Sequence, residues 1–489
     1  MRKTYLHTAI IFFLCLLSLN TFAIQQRLTV VVIVDGLRQD NLDMLRPYWG
    51  QGGLRLLSEE AYQTTFTFPH EVYGGNETVA TLMTGTCPAQ HGYAMDNYYR
   101  RSDRLVHDLL EDPLEKGINS SLALSPRALL APTICDYMRM QAGENAKIYA
   151  IGIHPQTAIL MAGHSADACV WLQTDKVCWA STTYYTQGLP AAADEMNMNG
   201  RLTYLAEQHW TPRLNMTSYM HPTKEELGKA FDYLPSTCLT TSPAANKMVV
   251  ELALSLQEKQ HLGTDAIPDM LLLELTTCSP KATSDRIQSA EQEDMYLALN
   301  QDVGFLIEQL HKRLGRTQVD FIVLGRPIYG LGSSTMELAK LPVRDCDADR
   351  IAALTSTYLM ALYGHERWVD GAYGNTLYLN RKLIEQRKMS LTTMQRQVAD
   401  FLMEFEGVNT AFPINEALLH PQLMAQINKH IMADVVFSLL PGWQLTSMEH
   451  VVDYVIDMQP SAPLLYWSTR VIAMPEHPIS ATDIISLIQ

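Results

Sequence analysis

Long apolar runs that stop at a polar residue indicate the strands of this chain. The first reads LTVVVIVD, from Leu28 to Asp35, and a glycine and a polar turn follow it. A continuous Val/Ile run of this kind is typical of a strand that is buried on both faces, as in a parallel sheet covered by helices. Asp35 is therefore predicted to end a central strand, where open α/β sheets bind their ligands.

Three further runs have the same character, and a clear helix lies between the last two. The runs are residues 147–153, 269–275 and 319–325. Apolar residues recur at alternating steps of three and four from Tyr296 to Leu310, which predicts a helix that Gly315 ends. A strand, a helix and a strand in this order predict a right-handed parallel crossover. The pattern thus favours a doubly wound, mostly parallel α/β sheet between helices.

The amino terminus has the pattern of a secretory signal peptide. Residues 1–23 combine Arg2 and Lys3, an apolar stretch and small residues before the end of the segment. No Ser/Gly/Pro linker, charge run or repeat divides the rest, so we predict one domain over residues 24–489 in the periplasm or outside the cell. Two segments, 165–242 and 329–460 in approximate bounds, are predicted to be lid or crown insertions.

The net charge of the chain disfavours some classes of binding partner. The formal net charge is -15, which disfavours nucleic acid and anionic membranes. No apolar run after residue 23 reaches the length of about 18 residues that a membrane-spanning helix needs. Cys169 and Cys178 have a spacing that could close a hairpin with a disulfide, and buried reduced cysteines are the alternative.

Four blocks of sequence resemble the alkaline phosphatase superfamily. They are VVVIVDGLRQDNLDMLRPYWGQGGLRLL, ATLMTGTCPAQHGYAMDNYY, AILMAGHSADACVWLQTDKVCWASTTYY, and EDMYLALNQDVGFLIEQLHKRLG with VDFIVLG. The chain looks most like the bacterial phosphate-irrepressible alkaline phosphatases and the type I phosphodiesterases and nucleotide pyrophosphatases. The resemblance implies an α/β sandwich with a crown insertion and two zinc ions beside a threonine or serine nucleophile. Two such ions stabilise the attacking and leaving oxygens of an in-line displacement.

Most functional positions of that family fall on residues without the required chemistry. The strand-end aspartate is matched by Asp35, but the nucleophile position falls on Gly75, which has no side chain. Thr78 in the same turn is the alternative nucleophile. The active-site asparagine falls on Asp96, a negative group. The lysine and arginine that grip phosphate fall on His154 and Gln156.

The metal positions show the same loss. Hydroxyls are poor zinc ligands, proline offers none, and a permanent cation repels zinc. The aspartate and histidine of one zinc fall on Ser279 and Thr283, those of the other zinc on Arg326 and Pro327, and the final histidine on Ser461.

The resemblance therefore implies an exported protein that has lost most zinc ligands and the nucleophile. We expect a non-catalytic binding or scaffolding protein without a cofactor, whose partner is an unknown ligand or an envelope protein. The alternative is a phosphate-ester hydrolase, a monoesterase or a diesterase, with an unorthodox zinc site.

Asp35 and Arg326 invite a more specific hypothesis. In the family, the ends of these two strands face one metal site. Burying an acid without a partner costs free energy, so we expect the Arg326 guanidinium to pair with Asp35. The alternative is that Arg326 points to solvent while Asp35 caps its own turn.

The segment GGNETVAT is expected to begin a helix. Asn76 is expected to cap this helix, and Glu77 to interact favourably with its positive end.

Overall fold

The computed structural model describes residues 27–70, 72, 75–222, 229–282, 285–328, 344–417, 433–440, 443–446, 461–469 and 479–488. The predicted signal peptide, Thr283 and parts of the predicted insertion at 329–460 lie outside these ranges.

Within them, the strands are β1 Leu28–Asp35, β2 Tyr62–Thr67, β3 Asn97–Arg100, β4 Leu105–Asp108, β5 Gly117–Ile118, β6 Ile148–Gly152, β7 Ala168–Gln173, β8 Cys178–Thr182, β9 Asp269–Thr276, β10 Val319–Arg326, β11 Arg344–Asp347, β12 Val369–Tyr373, β13 Thr376–Leu379, β14 Val408–Pro413, β15 Val435–Leu439, β16 Trp443–Thr446, β17 Ser461–Trp467 and β18 Ile479–Ser480.

The α-helices of the same ranges are α1 Gln39–Leu45, α2 Gly53–Glu60, α3 Glu77–Thr84, α4 Pro88–His91, α5 Ile134–Ala142, α6 Pro155–Ala162, α7 Ala191–Met198, α8 Arg201–Ala206, α9 Pro243–Lys259, α10 Ala290–Leu314, α11 Ala348–Tyr363, α12 Arg381–Gln386, α13 Leu391–Leu402, α14 Ile414–Ala417 and α15 Ile484–Ile488.

The strand order confirms the predicted doubly wound α/β fold. The main sheet runs β18-β2-β17-β10-β1-β9-β6-β7-β8-β5. Its central strands β10, β1, β9, β6 and β7 are parallel to their neighbours in that group, whereas β17 and β8 on either side are antiparallel. The runs predicted as strands are β1, β6, β9 and β10, and the predicted helix is α10, which ends before Gly315.

Helices cover both faces of this sheet. Because side chains alternate along a strand, Val30 and Val32 of β1 pack in one core with α9 and α10. Val31 and Ile33 pack on the opposite face with α3 and α6. Asp35 lies two residues after Ile33 in β1, so its side chain points to the same face of the sheet, the one that α3 and α6 cover.

A smaller unit with its own core follows β10. The sheet β12-β13-β15-β14 packs against α11 and α13 around Trp368 and Phe437. It contacts the main unit through the hairpin of β3 and β4, where the Tyr99 hydroxyl donates to the Asp370 carbonyl oxygen at 3.1 Å. This unit lies inside the range 329–460 that was predicted as an insertion.

The range predicted as a lid at 165–242 instead begins inside the main sheet. Strands β7 and β8 extend that sheet, and α7 and α8 place Ala192 and Leu202 in its core. This segment was predicted to be an insertion because it is rich in Thr, Tyr, Asn and Met, although β7 is one residue longer than the predicted strand β6.

The possible disulfide between Cys169 and Cys178 does not form. In the β7–β8 hairpin, Gln173 lies opposite Cys178, and Cys169 lies further from the turn. Both residues carry free thiols, and Cys169 is fully buried.

Among the described residues, none of the helices combines the length and the apolar character that a membrane crossing requires.

Candidate functional site

Asp35 and Arg326 meet at the ends of neighbouring parallel strands. β1 and β10 pair with Asp35 opposite Arg326, so both side chains leave the sheet on the same face. Arg326 Nη1 donates to Asp35 Oδ1 at 3.1 Å, and the two residues are only 4% and 3% exposed. Arg326 therefore faces Asp35 rather than solvent, at the place where the resemblance implied a zinc ion.

The same guanidinium joins the starts of two helices. Nη1 also donates to Thr157 Oγ1 at 3.1 Å, and Nη2 donates to Asn76 Oδ1 at 3.0 Å. Thr157 lies in the first turn of α6, and Asn76 directly precedes α3. Arg326 thereby links the end of β1 to the starts of α3 and α6. Its Nε has no hydrogen-bond partner among the described residues.

Asn76 does not cap α3 with its side chain, which corrects the expectation from the sequence. Its Oδ1 accepts from Arg326 and also from Thr157 Oγ1, at 2.8 Å. Its Nδ2 donates to both carboxylate oxygens of Asp96 at 3.1 Å. Hydrogen bonds to charged groups are stronger than neutral ones, so these tertiary partners take the amide away from its own helix.

Glu274 is a member of the site that was not predicted from the sequence. It lies within β9 and is fully buried. Its Oε2 accepts from the backbone N–H groups of Ile153 at 2.6 Å and His154 at 2.8 Å. Its Oε1 lies 3.9 Å from Arg326 Nη1. The available signal was an acid inside the apolar run LLLEL, because a charged residue is almost never fully buried unless it is paired.

His154 connects Glu274 to the outside of the site. The ring Nδ1 lies 2.8 Å from Glu274 Oε1 and 4.0 Å from Asp35 Oδ2. The side chain is 42% exposed, and Nε2 has no hydrogen-bond partner among the described residues. A buried carboxylate thus orients an imidazole whose second nitrogen is free to meet a ligand.

The charged groups at this centre alter one another's titration. Burial raises the pKa of Asp35 to about 6, with Arg326 opposing the change and Glu274 adding to it. Burial also acts to raise the pKa of Glu274, but His154 and Arg326 outweigh it and the pKa is lowered. For His154, burial acts to lower the pKa, but Glu274 and Asp35 outweigh it and the pKa is raised.

The position of the family's nucleophile is closed by a carboxylate. A Cβ atom on Gly75 would lie 2.5 Å from Glu77 Oε2, so the glutamate side chain fills the space that a larger residue would need. Thr78 is fully buried, and its hydroxyl donates to the Gly75 carbonyl oxygen at 3.0 Å. The alternative nucleophile is therefore engaged with its own turn.

The positions that grip phosphate in the family have other partners here. Asp96 accepts from Asn76 and from the Tyr93 hydroxyl at 2.9 Å. Gln156 donates from Nε2 to Asp108 Oδ2 at 2.6 Å. Of the matched positions, the structure brings Asp35, His154 and Arg326 into one cluster.

The remaining metal positions lie at the same end of the sheet but offer no strong ligand. Ser279 is 2% exposed, and its Oγ has no partner among the described residues. Pro327 directly follows Arg326, and Ser461 begins β17 as an exposed residue. Thr283 lies outside the described residues.

A model of one protein family covers most of the chain. The type I phosphodiesterase / nucleotide pyrophosphatase model matches residues 29–459. The chain belongs to this family. It is 23% identical to alkaline phosphatase PafA of Elizabethkingia meningoseptica over 408 residues, which cover 77% of this chain and 72% of that protein. It is also 23% identical to alkaline phosphatase PhoV of Synechococcus elongatus over 457 residues, covering 86% and 81% respectively.

Solved structures share the fold of this family member. The crystal structure of wild-type alkaline phosphatase PafA matches with a TM-score of 0.81 at 19% identity, over 94% of both chains. Human ectonucleotide pyrophosphatase / phosphodiesterase 5 matches with a TM-score of 0.51 at 10% identity, over 94% of this chain and 93% of that one. The predicted resemblance to the alkaline phosphatase superfamily is confirmed.

The donor set of this chain does not fit the two zinc ions that the resemblance implied. A hydroxyl at Ser279 and a pyrrolidine ring at Pro327 replace strong ligands, and Arg326 places a permanent cation 3.1 Å from Asp35 Oδ1. A different group of ligand atoms is present. Asp35, His154 and Glu274 each offer one atom, and these atoms lie within 4.8 Å of one another.

Proposed function

We propose that this chain is an exported, non-catalytic family member that binds a ligand or an envelope protein through the crevice above its strand ends. The observation that most strongly supports this proposal is the 3.1 Å contact between Arg326 Nη1 and Asp35 Oδ1. Metal-assisted phosphoryl transfer needs an ion that coordinates the attacking or the leaving oxygen. A guanidinium supplies positive charge but has no coordination position to offer.

The residues near the nucleophile position support the same proposal. Gly75 has no attacking atom, and the hydroxyl of Thr78 is bound to the backbone of its own turn. Restoring a side chain at position 75 would require Glu77 to move, since its Oε2 lies 2.5 Å from the place of the new Cβ.

The charge of the crevice favours a ligand other than a phosphate ester. Asp35 and Glu274 face one permanent cation, Arg326, and His154 adds a positive charge only when its ring is protonated. The electrostatic surroundings of Arg326 also include Asp96. The carboxylates would repel a phosphate, because the cluster has no surplus cation to bind it. They would not repel a neutral or cationic group of a peptide or a sugar.

Localisation and partners complete the proposal. The signal-peptide pattern of residues 1–23 supports export to the periplasm or beyond. The net charge of -15 supports a partner other than nucleic acid. No resident metal or organic cofactor is proposed for the native chain.

Metal analysis combined with turnover assays tests this proposal. The purified full chain is assayed on an aryl phosphate and on an aryl phosphodiester, with and without EDTA, and its zinc content is measured by mass spectrometry. We expect less than stoichiometric zinc and no turnover above that of an Arg326→Ala, Asp35→Asn double variant purified in parallel. Stoichiometric zinc with EDTA-sensitive turnover would overturn the proposal.

The second candidate function is a phosphate-ester hydrolase with a single metal ion. The observation that favours it is the group formed by Asp35, His154 and Glu274, whose ligand atoms lie within 4.8 Å of one another. This candidate requires turnover by the wild type that a His154→Ala variant loses. A Gln156→Ala variant is the matched control, because Gln156 lies two residues away in the chain and contributes no atom to the group.

A further inference from the structure

The charged cluster at the strand ends has the form of a metal site in which the protein provides the cation. We propose that Arg326 stands in for a metal ion, and that Asp35, His154 and Glu274 form a latent site for one divalent transition metal ion, Zn²⁺ or Co²⁺. The latent site becomes available when the guanidinium is removed. It differs from the family's implied zinc centre, because neither His154 nor Glu274 matches a ligand position of that centre.

The spacing of the three ligand atoms suits a small ion. His154 Nδ1 lies 2.8 Å from Glu274 Oε1 and 4.0 Å from Asp35 Oδ2, and all three ligand atoms lie within 4.8 Å of one another. Ligands of a tetrahedral zinc ion, at bonds of about 2.0 Å, lie about 3.3 Å from each other. Small side-chain movements would therefore bring the three atoms around one ion. An imidazole with two carboxylates is a suitable donor set for zinc or cobalt.

The main chain holds these ligands in place independently of any ion. Glu274 Oε2 accepts from the N–H groups of Ile153 and His154, which leaves Oε1 directed at the cluster. Asp35 ends β1, and its carbonyl oxygen accepts from the Thr277 N–H at 2.9 Å. Supporting hydrogen bonds of this kind orient metal ligands and reduce the cost of assembling a site.

Arg326 blocks the site by charge and by position. Its Nη1 lies 3.1 Å from Asp35 Oδ1 and 3.9 Å from Glu274 Oε1, beside two of the three ligand groups. A divalent ion there would be repelled at short range in a buried environment, where charges interact strongly. His154 is the accessible side of the site, since its side chain is 42% exposed. The native cluster thus assembles without a metal ion because Arg326 neutralises its acids.

Removing the guanidinium tests the inference. In Arg326→Met, Co²⁺ is expected to bind with one equivalent per chain, with visible d–d absorption and affinity on the order of 100-fold above that of the wild type. Arg326→Lys is the matched control, because it keeps a cation and is expected to give no cobalt spectrum. Arg326→Met combined with Glu274→Gln is expected to lose the spectrum.

A second variant covers the case in which Arg326→Met does not fold. Arg326→Gln retains a neutral hydrogen-bond donor at the same position, and its melting temperature is expected to rise on adding Zn²⁺, since an ion that binds only the folded chain stabilises it. Wild type is expected to show no such rise. The inference is overturned if folded Arg326→Met or Arg326→Gln binds Co²⁺ no better than wild type. It is also overturned if the binding survives Glu274→Gln, or if wild type itself binds one equivalent through Glu274.

These outcomes are separate from the proposed function. Turnover by the wild type would contradict a non-catalytic role, whereas the cobalt spectra of the variants decide whether Arg326 masks a site. Failure of the latent site would leave the question of turnover unchanged.

Discussion

Arg326 Nη1 donates to Asp35 Oδ1 at 3.1 Å, and both side chains are almost fully buried at the ends of adjacent parallel strands. A buried ion pair is not necessarily more stable than an apolar pair of similar volume, but removing one partner leaves an uncompensated charge. This end of the sheet therefore depends on both residues together.

We expect Arg326→Ala to lower the free energy of unfolding by about 3–5 kcal/mol, the range typical of a broken buried pair. Asp35 and Glu274 would lose their shared counter-charge, and Asn76 and Thr157 would lose a donor. Urea unfolding at neutral pH, followed by tryptophan fluorescence, measures the change.

The double variant Arg326→Met, Asp35→Leu is the control for this prediction. Because it removes both charges and keeps apolar volume, its loss of stability should be smaller than that of Arg326→Ala. A single Arg326→Ala variant within about 1 kcal/mol of wild type would mean that the pair resembles an exposed one and does not organise the crevice.

Glu274→Gln should lower the pKa of His154. In the wild type, Glu274 and Asp35 overcome the effect of burial and raise the pKa of this ring, and Glu274 is the larger of the two contributors. The amide keeps the size of the side chain but removes the charge. Titration of ¹³C-labelled histidine rings by NMR measures the change, with His154→Gln used to assign the signal. An unchanged midpoint would show that the carboxylate does not control the imidazole.

Gly75→Thr should not create a phosphatase. The new Cβ would lie 2.5 Å from Glu77 Oε2, so the glutamate side chain at the start of α3 must move. We expect a loss of about 1–3 kcal/mol in stability, as is usual for overpacking, and no turnover of an aryl phosphate. The paired variant Gly75→Thr, Glu77→Ala relieves the clash and should recover much of the stability. Zinc-dependent turnover by either variant would contradict the proposed loss of the metal centre.

His91 should make the protein less stable as the pH falls. It is fully buried, and burial lowers the pKa of its ring to about 3, with nearby His70 adding to the effect. The Tyr93 N–H donates to Nδ1 at 3.1 Å, which requires the neutral ring. In the unfolded chain the ring titrates near its usual pKa of about 6.5, so between these values the unfolded state binds more protons.

The corresponding measurement compares wild type with His91→Gln. The contribution of His91 is complete above pH 6.5 or so and is lost progressively toward about 3, with a slope of up to about 1.4 kcal/mol per pH unit. Urea midpoints at several pH values should show this slope for wild type and a shallower one for the variant. Equal slopes would indicate that His91 becomes protonated in the folded state.

The pattern of apolar runs was sufficient to predict the central architecture. β1, β6, β9, β10 and the long helix α10 all have strong local signals, because strands buried on both faces are continuously apolar and a helix repeats with its own period. Asp35 and Arg326 were recognisable as strand-end residues for the same reason. Strands β7 and β8 were missed because the segment that contains them is rich in Thr, Tyr, Asn and Met, a composition that suggested an insertion.

The composition of the site depended on contacts between distant parts of the chain. Glu274 is 120 residues from His154 in the chain and became its partner only when β9 and β6 paired in the sheet. Asn76 had a strong local preference for capping α3, yet its amide turned to Arg326 and Asp96, whose charges form stronger hydrogen bonds than a helix terminus does.

Local sequence thus defined which residues end the strands, because hydrophobic periodicity is a property of neighbouring positions. Only the tertiary structure decided which side chains those strand-end residues contact. In the parallel register, Arg326 lies opposite Asp35, and the adjoining strand brings Glu274 to the same buried face. Water is largely excluded there, so each charge must find its partner within the protein.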